Sequence, residues 1–150
     1  MNSRIDIEIA RAQKNDLTVD ERLKQETPIR GVYGVFAKVG DESRCLFIGR
    51  SHNIAQKLFD HDGEITGYSN RQDLSLTAKL MREIQNATFE IKVLQVVNFE
   101  GDNYYRDMQR LAFAQSEWIE KYQVRGEALR QLPEGNWPPE ETWNVRYKKR

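Results

Sequence analysis

GVYGVFAKVGDESRCLFIGRSHNIAQKLFDH, residues 31 to 61, changes its hydrophobic pattern three times. Residues 31 to 39 are rich in β-branched and aromatic side chains, which predicts a strand. Gly40-Asp41-Glu42-Ser43 reads as a turn, and Cys45-Leu46-Phe47-Ile48 as the returning strand of an antiparallel hairpin. Gly49 ends that strand. Ser51 or Asn53 then caps a short helix, with Asn53 and Gln56 at capping-box spacing. Ile54 and Leu58 face a core from this helix, while Lys57 and His61 fall one turn apart on another face. A strand–glycine–helix junction of this kind either cradles a phosphate or is an ordinary tight turn.

Upstream, residues 1 to 29 carry a weak helical stripe of Ile5, Ile9 and Ala12, closed by Thr27-Pro28. This predicts an N-terminal helical arm. Downstream, residues 62 to 74 are polar and turn-rich, and Ser75 opens a helix in which Leu76, Leu80 and Ile84 repeat. Residues 89 to 97 alternate as a third strand. Asp102 or Asn103 starts the longest helix, with an apolar stripe of Tyr105, Met108, Leu111, Ala112, Trp118, Ile119 and Tyr122 that encloses Gln115. Residues 124 to 141 form a Gly- and Pro-interrupted connection, and Thr142-Trp143-Asn144-Val145 is a short extended piece before a basic tail. The expected fold is α/β, a small three-stranded antiparallel sheet flanked by helices. The arm covers residues 1 to 29 and the domain residues 30 to 150.

Bulk properties narrow the function. The 150 residues suffice for one core, and 31% charged residues make a polar surface. Lys and Arg number 23, as do Asp and Glu, so nucleic-acid binding requires a local basic patch. Cys45 is the only cysteine, which excludes a disulfide framework and a thiolate metal cluster. The N-terminus lacks the apolar core of a signal peptide, and no run is long enough to span a membrane. The default expectation is a cytoplasmic protein without a membrane partner.

The order of these motifs resembles the GIY-YIG nuclease family. Gly31-Val32-Tyr33 looks like the GIY element and Phe47-Ile48-Gly49 like YIG. Lys57-Leu58-Phe59-Asp60-His61 is similar to the family's R-L-x-x-H helix, Gln115 stands where its metal-binding Glu would fall, and Trp143-Asn144-Val145 resembles its final Y-N element. The resemblance covers roughly residues 31 to 146. It implies a catalytic set of Tyr33, Phe47, Lys57, His61 and Asn144, phosphate binding by Arg50 and Lys57, and a single Mg²⁺ or Mn²⁺ at Gln115 if the protein is active, otherwise no cofactor. Three positions depart from the pattern. Phe47 lacks a phenolic hydroxyl, Lys57 offers a point charge in place of a bidentate fork, and Gln115 offers a neutral amide oxygen where a hard cation prefers a carboxylate. On a regular helix neither Glu117 nor Glu120 shares the face of Gln115, while Glu64 and Asp60 remain alternative carboxylates. A Gln115→Glu change is expected to regain part of the metal affinity.

Read without the resemblance, Tyr33 is a half-buried strand aromatic, Phe47 is core, Lys57 and His61 are solvated, and Asn144 serves a turn. Gln115 is harder to dismiss, because an amide within an apolar stripe needs partners when buried. The leading expectation is a nucleic-acid-binding protein, DNA favoured, with weak or absent metal-dependent phosphodiester cleavage. One alternative is an active endonuclease using another carboxylate or engineered at Gln115. The other is a protein-interaction or regulatory module, with a protein partner on the N-terminal arm.

Overall fold

Gly40 turns the hairpin. Strands β2 (Gly31–Val39) and β3 (Glu42–Ser51) pair antiparallel with Val39 opposite Glu42, so the loop is Gly40-Asp41 alone, shorter than the four-residue turn expected. Gly40 has φ +62°, and a two-residue loop with Gly at its first position supplies the positive φ that matches strand twist. These features come from a computed structural model that describes residues 3–14, 16–60, 63–66, 81, 84, 86–127 and 145. The helix expected from Ser75 lies largely outside the described residues, as do His61, Asn144 and most of the 124-to-141 connection.

A strand at Thr88–Val96 pairs antiparallel with the other edge of β2, as residues 89 to 97 predicted. The expected three-stranded antiparallel sheet needs correction, because a further strand, β1 (Leu17–Val19), pairs parallel with the Thr88–Val96 strand, here β4. The sheet is therefore four-stranded and mixed, in the order β1-β4-β2-β3. Three residues give one cycle of alternation, too little to announce a strand in the sequence. Backbone bonds place it instead, from Phe89 N–H to the Asp16 carbonyl (2.8 Å) and from Asp20 N–H to the Ile91 carbonyl (2.9 Å).

Helices cover both faces. Helix α1 (Ser3–Gln13) buries Ile5, Ile9 and Ala12 as their spacing predicted, and packs with α2 (Ile54–Phe59) against Tyr33, Val35, Ile91 and Val93. The N-terminal segment thus shares the main core and continues through β1 into a 3₁₀ turn, Glu21–Lys24, capped by Asp20. On the opposite face α3 (Tyr104–Val124) sets Leu111, Ala114 and Ile119 against Val32, Phe36, Cys45 and Ile48. Its buried stripe follows the expected one at Leu111, Gln115 and Ile119, with Met108, Ala112, Trp118 and Tyr122 half-buried, and departs from it at the start of the helix. Asp107 is buried and Tyr105 is exposed, because the Asp107 carboxylate accepts the N–H groups of Glu100 and Gly101 at the start of the helix. A carboxylate with donors in place outcompetes an aromatic for the inward position.

Asn103 caps α3 and Asn53 caps α2, each accepting from the N–H three residues on. The α2 capping box is half made. Gln56 reaches forward to Asp60, and the Asn53 N–H donates to Ser51 Oγ instead.

Candidate nucleic-acid interface

Tyr33 and Gly49 face each other across β2 and β3. A Cβ at position 49 would overlap the Tyr33 ring and hydroxyl, so glycine is what lets the tyrosine lie across the neighbouring strand. The ring is fully buried, and its hydroxyl donates to Glu64 Oε2 at 3.0 Å. Burial, and then the Glu64 charge, holds the phenol well above its ordinary pKa. At neutral pH Tyr33 is a proton donor.

Lys57 completes this cluster. From α2 its ammonium lies 3.8 Å from Glu64 Oε1, donates to the Arg50 carbonyl at 2.8 Å, and sits 5.7 Å from the Tyr33 ring centroid. Phe47 packs against the same core, its ring centroid 6.5 Å from that of Tyr33, and brings only apolar surface. Of the expected site residues, Tyr33, Phe47 and Lys57 are therefore neighbours. Glu64 joins them from a polar turn, where the sequence suggested it only as a substitute carboxylate.

Gln115 lies apart. It belongs to α3, whose buried residues pack on the sheet face opposite to Tyr33. Its amide nitrogen donates to the Ile48 carbonyl at 3.0 Å, and its amide oxygen accepts from the Arg50 guanidinium. A side chain only 4% exposed is thus bonded at both ends, as a buried amide requires. This arrangement does not fit a metal ligand. The oxygen that would face a cation faces a guanidinium, and Glu117 and Glu120 are exposed. Among the described residues no cluster of three or more His, Cys, Asp or Glu side chains has metal-binding geometry.

Arg50 joins the two sides at the end of β3, its carbonyl held by Lys57 and its guanidinium on Gln115. Beyond it, between the starts of α2 and α3, opens a groove of about 670 Å³. Arg50, His52 and Lys57 line its basic side, and Phe99, Tyr104 and Leu111 its apolar side. No described residue lining it is acidic. In a chain of zero net charge the groove thus gathers two cations, Arg50 and Lys57, the latter also paired with Glu64. The sequence held a faint signal for the far wall, since Phe99, Tyr104 and Tyr105 crowd the polar start of α3, where burial of aromatics is hard to achieve.

Compared with known proteins, the chain matches no family model, no curated protein and no solved structure. Among the described residues no helix is long and apolar enough to cross a membrane.

Proposed function

We propose that the chain is a nucleic-acid-binding protein on a GIY-YIG-like scaffold, with metal-dependent phosphodiester cleavage weak or absent. The observation that carries this reading is the groove at the end of β3 in which Arg50, His52 and Lys57 converge with no acid among the described lining residues. Phosphate oxygens accept hydrogen bonds from such groups, and binding through a few phosphates weakens steeply with salt.

Three features support weak chemistry. Phe47 has no proton to give, and the Gln115 oxygen is engaged by Arg50. Tyr33 is held protonated against Glu64, so it would act on water only after passing its proton to that carboxylate. Loss of one strong electrostatic contributor alone costs about a hundredfold in rate or more.

The test is to incubate the protein with plasmid, single-stranded and branched DNA, with Mn²⁺ and separately with chelator, scoring cutting and mobility shift. A salt-sensitive shift without cutting is expected. Chelator-sensitive cutting that disappears in Tyr33→Phe would overturn the catalytic half of the proposal. No shift at low salt would overturn the binding half.

A further inference from the structure

Phe99 is held in an unusual way for a ring that is 59% exposed. The Arg30 guanidinium lies over one of its faces, 4.0 Å from the ring centroid. Arg30 is itself 5% exposed and anchored to the carbonyls of Val97 and Asp107. One face of Phe99 is therefore backed by a fixed cation and the ring borders the groove. Tyr104 borders the same groove at 69% exposure, steadied edge-to-face by Tyr105 with centroids 5.3 Å apart. Arg50 and Lys57 line the same groove. Lys57 also lies 3.8 Å from Glu64, which is not part of the groove lining, and the acids beside the rings, Glu100 and Asp102, pair with Arg110 at 3.1 and 2.8 Å.

Exposed aromatic rings and cations lining one groove suit a flat heterocycle joined to a phosphate. In a duplex the base faces are stacked on one another and cannot reach the rings. In a single strand they are free to do so, and every base offers such a face. We propose that this groove binds unpaired nucleotides, a base stacking on Phe99 and Tyr104 while its backbone phosphate meets Arg50 and Lys57. The inference rests on the nucleic-acid reading above and adds to it a preference for single-stranded over double-stranded substrate.

Fluorescence anisotropy with labelled single-stranded DNA and RNA 12-mers and a blunt duplex, each titrated over a range of salt, tests both layers. Single strands should bind more tightly than duplex. Tyr104→Ala should weaken single-strand binding about tenfold or more and duplex binding far less, while Tyr104→Phe keeps both. Lys57→Gln should weaken both and flatten the salt dependence by about one unit of slope. Phe99→Leu, which keeps an apolar side chain beneath Arg30, should repeat the Tyr104→Ala result. Equal binding of single strand and duplex, indifferent to both aromatic changes, would overturn the stacking inference and leave the nucleic-acid reading standing. No binding of any probe at low salt would overturn both.

Discussion

Two side chains change meaning once their partners are known. Gln115 reads in the sequence as a metal ligand with its charge removed, and that reading leads to Gln115→Glu as a partial repair. With the Arg50 guanidinium on the amide oxygen, the new carboxylate would form an ion pair with Arg50 before it met any cation. Isothermal titration of Gln115→Glu with Mn²⁺ should show no gain in binding over the parent protein, and a new stoichiometric site would contradict the geometry. Tyr33 gives a prediction of opposite character. Its phenol is held protonated when folded and is ordinary, near 10.0, when unfolded. Below that pH both states keep the proton, so its contribution is fully present. As pH rises through it, the unfolded chain loses the proton first and stability falls. Tyr33→Phe should cost about 0.5–1.5 kcal/mol near neutrality through the lost bond to Glu64. It should also shallow the decline in urea-unfolding stability above pH 10, and an unchanged alkaline limb would count against a buried protonated phenol.

Among the elements, the hairpin and the two capped helices were legible because local chemistry fixes them. Gly40, Asn53 and Asn103 each act within three residues of their own position. The short β1 strand and the inward Asp107 at the start of α3 were not legible, since both depend on groups distant or buried, Ile91 for one and the Asp107 carboxylate for the other. The candidate site divides the same way. Tyr33, Phe47 and Lys57 could be placed on their strands and helix from the pattern, whereas Glu64 and Phe99 lie outside regular elements and Tyr104 opens α3, where only the folded chain defines what they face. Gly49 belongs to this scale because it sets how closely two strands carry one ring. Gly49→Ala should destabilise the protein by about 1–3 kcal/mol through overpacking against Tyr33. Chemical denaturation measures this directly, and a cost below about 0.5 kcal/mol would mean that the ring moves aside freely.

Across the whole molecule, Asp20 ties the N-terminal segment to the sheet. Its carboxylate accepts from the Val93 N–H at 2.9 Å and from both the backbone and the guanidinium of Arg22, which also reaches the Val93 carbonyl at 2.8 Å. Burial opposes its ionisation, but the Arg22 side chain, Val93 N–H and Arg22 N–H together hold the carboxyl below its usual value. The folded pKa being depressed, the stabilisation is present above the unfolded value of 3.8 and disappears as pH falls through the folded one. Asp20→Ala should cost about 1–3 kcal/mol at neutral pH. The difference from the parent should shrink below pH 4 in thermal unfolding, and a constant difference would show that the charge is irrelevant.

The parallel pairing of β1 with β4 also orders events in time. Residues 17 to 19 are synthesised well before their hydrogen-bonding partners, residues 89 to 91. Everything between, the hairpin and α2 included, must be synthesised and brought within the closed loop before that edge can form. Contacts so far apart in sequence close slowly. During synthesis Leu17 and Val19 therefore wait without their sheet partner until residues 89 to 91 have been made.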